Sequence, residues 1–172
     1  MRSKVFVAAC MVFISAPVAA REISISGLNV TRDIACNGSD IDINGMGHKL
    51  RITGECRSLD IHGSNHTIHF EDANDLDIKG IGINVTGKQA DSVDVEGTQN
   101  QLTTAIDGED ESGELDVAGS DHKVQVTLLS GVEIEVSGSN NTVEWKLAPG
   151  AEEPLVQIHG IGNNVMKISE TQ

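Results

Sequence analysis

Leu59-Asp60-Ile61-His62-Gly63-Ser64-Asn65-His66-Thr67-Ile68-His69-Phe70 carries the pattern that decides the fold. Apolar residues alternate with polar ones on both sides of Gly63, which marks two half-buried strands joined at a bend. The general unit is apolar-x-apolar-x-Gly-x-x-Asn/His-x-apolar, and Ile134, Val136, Gly138, Asn141, Val143 and Trp145 repeat it. Its glycine recurs at Gly27, Gly45, Gly63, Gly80, Gly97, Gly119, Gly138 and Gly160, in steps of 18, 18, 17, 17, 22, 19 and 22 residues. A period near 20 residues describes stacked supersecondary units. Gly and Asn tolerate positive φ, so the Gly-x-x-Asn segment is expected to be the bend itself.

Two architectures fit an all-β chain of this kind. In one, each repeat is a short coil of a parallel β-solenoid, about eight coils in all, and crossover preference makes it a right-handed β-helix. In the other, each bend closes a hairpin, and the hairpins form a sandwich or barrel. The near-constant repeat length favours the solenoid, because stacked coils share one continuous core. Its ends need protection against edge pairing, and Arg21-Glu22 and the polar Ser169–Gln172 tail are the expected caps.

Residues 1–20 read as a secretory signal peptide: Arg2 and Lys4, an apolar run from Val5 to Ile14, and small residues at Val18-Ala19-Ala20. Val7-Ala8-Ala9-Cys10 has the look of a lipidation box, but only nine residues precede Cys10 and the apolar run continues past it. Residues 21–172 are then a single β-solenoid domain, exported to the periplasm or secreted. Losing Arg2 and Lys4 leaves 10 basic against 26 acidic residues, a net charge of −16. That charge disfavours nucleic acid and anionic membrane, and favours cations or basic partners. No second apolar run is long enough for membrane insertion. Cys36 and Cys56 remain as an even pair at nearly equivalent places in neighbouring repeats, and an exported chain would oxidise them to a disulfide.

Stretches at Cys36–Ile52, Cys56–Phe70, Val93–Leu102 and Ile134–Trp145, followed by Gly160-Ile161-Gly162-Asn163-Asn164-Val165, carry a resemblance. The chain resembles an uncharacterised family of small exported bacterial proteins and lipoproteins with Gly-x-x-Asn β-repeats, a domain of unknown function. That resemblance implies a β-repeat fold and no established activity. The chain departs from the pattern at Val30 and Ile83, which fill the Asn slot, and in a long insert before Leu115.

The sharpest candidate site is a row of acids between the paired apolar residues. Asp42, Asp60, Asp77, Asp94, Asp116 and Glu135 fill one slot in six successive repeats. Stacked about 5 Å apart, two such charges repel by roughly 3 kcal/mol at an effective dielectric of 20. The row should therefore bind cations, calcium above all, pair with basic neighbours, or carry raised pKa values; otherwise it is a solvated, solubilising face. An unpaired row would lose stability as pH rises and gain it on mild acidification.

His48, His66 and His122 occupy the Asn slot and read as turn residues, while a zinc or copper site with His62 lacks a compact ligand motif. The Asp107–Glu114 insert lacks the glycine and terminal Glu spacing of a calcium loop and reads as an exposed contact loop. No nucleophile elbow, phosphate-cradling loop or zinc-protease motif occurs. The chain thus reads as a non-catalytic structural or interaction module of the cell envelope, with a protein or envelope component as partner. Alternatives are a divalent-cation-binding protein using the acid row, and a carbohydrate-active β-helix. The latter is weakened by the scarcity of aromatics, since only Phe70 and Trp145 follow the signal segment.

Overall fold

A computed structural model describes residues 21–108 and 113–169, and the expected signal peptide at 1–20 lies outside them. Fourteen strands make up the regular structure of the described residues. They form two walls of one continuous sheet. The first wall stacks β1 (Glu22–Leu28), β3 (Asp40–Met46), β5 (Glu55–Ser64), the second halves of β6 (Thr67–Ile81) and β7 (Asn84–Thr98), β9 (Gly113–Ser120), β11 (Val132–Ser139) and β13 (Leu155–Ile158). The second stacks β2 (Thr31–Ala35), β4 (Lys49–Thr53), the first halves of β6 and β7, β8 (Gln101–Ile106), β10 (Lys123–Leu128), β12 (Thr142–Leu147) and β14 (Asn164–Lys167).

Every strand pair is parallel, so consecutive repeats lie beside one another in the same direction. That rules out the hairpin arrangement, whose neighbours would be antiparallel. The fold is a parallel β-solenoid of about eight coils, and its register follows the sequence repeat. Ile43 sits between Ile25 and Ile61, as Gly45 sits between Gly27 and Gly63. Coil length fixes this register, because a one-residue slip would turn the apolar set outward.

The alternating apolar residues of both walls meet inside as stacked columns. Ile41, Ile43, Leu59, Ile61, Leu76 and Ile78 are buried in the first wall; Leu50, Ile52, Ile68, Leu102 and Val124 are buried in the second. Size is matched between neighbours in a column. Phe70 lies beside Gly87, where a Cβ would come within 2.0 Å of the ring's Cζ. Trp145 is a core residue of the same wall, 8 % exposed.

Arg21 pairs into the next coil, its carbonyl accepting the Asp40 amide at 3.0 Å. Charges instead interrupt the apolar columns at both ends of the second wall. Arg32 takes the first-coil position beside Leu50, and Lys167 takes the last-coil position beside Trp145. Lys167 Nζ lies 5.3 Å from the Trp145 ring centroid and is ion-paired to Glu153. A charge in a core column blocks the addition of a further apolar strand. Residues 170–172 of the expected C-terminal cap lie outside the described residues.

Cys36 and Cys56 form the expected disulfide, with Cα atoms 5.3 Å apart, and both are buried. The bridge ties the first coil to the second. Closing a loop of this size stabilises by about 3 kcal/mol. Cys36→Ala combined with Cys56→Ala is expected to lower the thermal midpoint by roughly 6–12 °C at this chain length. A melting comparison with and without reductant checks the wild type against the same figure.

Candidate functional site

The acid row exists as a row. Asp42 lies beside Asp60, Asp60 beside Asp77, Asp77 beside Asp94, Asp94 beside Asp116 and Asp116 beside Glu135. Strand alternation puts all six on the outer side of the first wall, because their neighbours Ile41, Ile43, Val93, Val95, Leu115 and Val117 face the core. The row is not, however, a uniform unpaired face. Asp42 Oδ1 accepts the Asn44 side-chain amide at 2.5 Å, and Asp60 Oδ2 accepts the Ser58 hydroxyl at 3.2 Å. At its centre the chain supplies its own cation: Lys79 Nζ lies 2.7 Å from Asp77, 3.8 Å from Asp94 and 3.9 Å from Glu96.

Even so, the centre is strained electrostatically. Asp77 Oδ1 and Asp94 Oδ1 are enclosed without a hydrogen-bond partner. Burial, with Glu96 and Asp77 close by, pushes Asp94 up to about 6 despite Lys79. Burial also raises Asp116, aided by Glu135, Glu114 and Glu96. Hydrogen bonding to Asp77 raises Lys79, so the ammonium holds its proton firmly. Pairing with basic neighbours and raised carboxyl pKa values therefore coexist in one row.

Lys79→Met is expected to cost about 1 kcal/mol at pH 8, a value discounted for the solvent that screens this half-exposed network. The sign with pH follows from the raised carboxyls. Asp94 folds with a higher pKa than it has unfolded, so its contribution is favourable at low pH and is lost as pH rises through about 6. Without Lys79 that loss should deepen, and urea titrations of the variant at pH 5 and pH 8 should diverge more than those of the wild type.

The corner of each coil departs from the sequence reading. Positive φ falls on the repeat glycines, Gly80 excepted, as expected, and then on the second residue after each: Asn29, Gly47, Asn65, Gly82, Gln99, Asp121, Asn140 and Gly162, all with φ between 54° and 74°. The third residue, the Asn/His slot, is instead buried. His48, His66, Asn100, His122 and Asn141 are each fully excluded from solvent. Each forms a rung between coils. His48 Nδ1 accepts the Val30 amide at 3.0 Å, His66 Nδ1 accepts the His48 amide at 3.1 Å, and His122 Nδ1 accepts the Asn100 amide at 3.2 Å. Asn100, Asn141 and Asn163 do the same with Oδ1, accepting the amides of Ile83, His122 and Asn141 at 2.9–3.0 Å.

The donor end matches as well. Asn100 Nδ2 donates to the carbonyls of Glu96 and Gly80 at 2.9 and 3.1 Å, and His48 Nε2 reaches the Asn44 carbonyl at 3.2 Å. Because Nδ1 accepts an amide proton, the imidazole proton must sit on Nε2. Neutral histidine thus reproduces the acceptor–donor pair of asparagine, which explains why the two residue types share the slot. Six of the eight slots hold one or the other, and that restriction was visible in the sequence. Val30 belongs to the first described coil and Ile83 lacks polar side-chain atoms; at that corner Gly80 also leaves the positive-φ region its counterparts occupy.

Other sequence features play smaller parts. His62 is half-buried and His69 exposed, on opposite sides of the corner, and His62 contributes only its carbonyl, which pairs with His66 Nε2 at 3.2 Å. No group of three or more His, Cys, Asp or Glu is arranged to hold a metal ion among the described residues. Of the acidic insert, residues 109–112 lie outside the described residues; the backbone amides of Asp107 and Gly108 donate hydrogen bonds to the Ala90 carbonyl and the Ser130 hydroxyl. The outer side of the second wall bears a shallow cleft of about 320 Å³ lined by Gln101, Thr103, Lys123, Gln125, Thr142 and Glu144.

With this geometry in hand, comparison with known families is informative. Residues 43–93 and 95–162 each match the family model described as "Protein of unknown function (DUF3060)". Together they span well over half of the chain. The chain belongs to this family. The first match takes in the glycine rungs Gly45, Gly63 and Gly80, and the second Gly97, Gly119, Gly138 and Gly160. Each match therefore spans several coils. No curated protein and no solved structure matches the chain.

Proposed function

We propose that this protein is an exported, non-catalytic β-solenoid acting as a structural or interaction module of the cell envelope. In this reading the first wall presents its acid row to a basic protein or envelope component. The observation that carries it is the continuous stacking of six carboxylates along one outer face. A rigid scaffold holding charges at fixed spacing suits recognition, since positioned charge steers and orients an oppositely charged partner. The Cys36–Cys56 disulfide is in keeping with an oxidising compartment.

The test is to express the full chain in a bacterium with an outer membrane and fractionate the cells. Processing after Ala20 and co-sedimentation with the envelope are expected. The variant Asp42→Asn/Asp60→Asn/Asp116→Asn/Glu135→Gln should keep its circular dichroism and leave the envelope fraction. An unprocessed cytosolic chain would refute export, and unchanged co-sedimentation of the variant would refute the acid face.

A second reading has its own support, in the unpartnered Asp77 Oδ1 and Asp94 Oδ1. A divalent cation such as calcium would satisfy both, in competition with Lys79. Melting with EDTA against millimolar calcium separates the readings, because only a ligand that favours the folded state raises the midpoint.

A further inference from the structure

The histidine rungs differ from the asparagine rungs in one respect: they titrate. Each histidine uses Nδ1 as an acceptor for a backbone amide of the preceding coil, and at His66 and His122 that hydrogen bond is buried. A proton on Nδ1 would set donor against donor at that contact. The amide would lose its partner, and a cation would be confined where water does not reach. Asparagine in the same slot has no such vulnerability.

We propose that His66 and His122 form an acid-sensitive latch in the coil corners, which opens when the rings are protonated and loosens the coils they join. The second and third coils are the most exposed to this, because His48 and His66 stack directly, with ring centroids 4.8 Å apart and planes 15° from parallel. Two imidazolium rings so placed repel each other.

The surroundings offer little compensation. His48 and His66 face each other, the Val30 and His48 amides, and the Asn44 and His62 carbonyls. Val30 and Ile83, which flank this pair along the slot, are uncharged. His122 lies between Asn100 and Asn141, with the Ala118 carbonyl on its other nitrogen and Asp121 beside it in the chain. Lys49 and Lys123 follow His48 and His122 and are exposed. Burial holds His66 and His122 below the ordinary histidine range, with His48 adding to the effect at His66.

The sign with pH is then fixed. A group whose pKa is depressed by folding contributes stability that is present above its unfolded value, near 6.5, and is lost as pH falls. Asp94 and Asp116 act in the opposite sense over an overlapping range. The two contributions are separated by replacing only the rungs.

Thermal melts of the mature protein from pH 8 to pH 4.5 should be compared with those of His66→Asn/His122→Asn. The wild-type midpoint is expected to fall by about 5 °C or more below pH 6.5. The variant should hold its midpoint or rise slightly, driven by the remaining carboxyls. Parallel profiles for the two proteins would overturn the proposal. Should the double variant fail to fold, His122→Asn alone is used, with hydrogen exchange at pH 5 as the readout. The Asn100 amide should exchange at least tenfold more slowly in that variant than in the wild type, and equal rates would overturn the latch.

Discussion

Gly63→Ala is expected to unfold the protein or destabilise it by about 4 kcal/mol or more. A Cβ at this position would stand 2.0 Å from the Gly45 carbonyl oxygen and 2.9 Å from His66 Nε2, with φ at +128°. The oxygen belongs to the backbone of the neighbouring coil and cannot move without breaking the parallel ladder. The same contact recurs along the row, where each added Cβ from Gly45 to Gly160 meets the preceding glycine's carbonyl at 1.9–2.1 Å. Gly27→Ala is the control. It shares the positive φ, +119°, but nothing lies within 4 Å of its Cβ. Its cost should be the backbone strain alone, about 1–3 kcal/mol. Chemical denaturation of the two variants separates conformational strain from coil-to-coil clash.

Asn100→Leu is expected to cost about 3–5 kcal/mol, although leucine is apolar and close in size. Its side chain holds the Ile83 amide and the Gly80 and Glu96 carbonyls, and leucine would leave the buried amide and the two partly buried carbonyls without that partner. Asn100→His should recover most of that loss at pH 8, because histidine fills the same slot at His48, His66 and His122 with the same polarity of contacts. Urea melts of the pair read the difference. Equal destabilisation by leucine and histidine would show that the slot selects for shape and not for its acceptor and donor.

The parts of this structure that could be read from sequence are those written in its period. Glycine spacing gave the coil, alternation gave the walls, and the shared slot of Asp42, Asp60, Asp77, Asp94, Asp116 and Glu135 gave the acid row. The disulfide followed from the parity and placing of Cys36 and Cys56. What escaped depends on distances between coils. Lys79 comes two residues after Asp77, and nothing in the linear pattern says that its ammonium also approaches Asp94 and Glu96 of the next coil. Arg32 and Lys167 look like ordinary strand residues until their columns are known to be apolar. The corner was misassigned by one residue. Positive φ and burial both favour small polar residues at a bend, but Asn65 takes the left-handed conformation and His66 takes the buried rung. Only the restriction of the third position to Asn and His distinguished them, and that restriction reflects hydrogen-bond chemistry, not turn geometry.

Neutral histidine stands in for asparagine as a rung between coils only if its proton sits on Nε2. Long-range ¹H–¹⁵N correlation spectra of the protein at pH 7.5 read this proton placement. His48, His66 and His122 should each show a protonated Nε2 and a bare, hydrogen-bonded Nδ1. A proton on Nδ1 in any of the three, or a doubly protonated ring, would contradict the account.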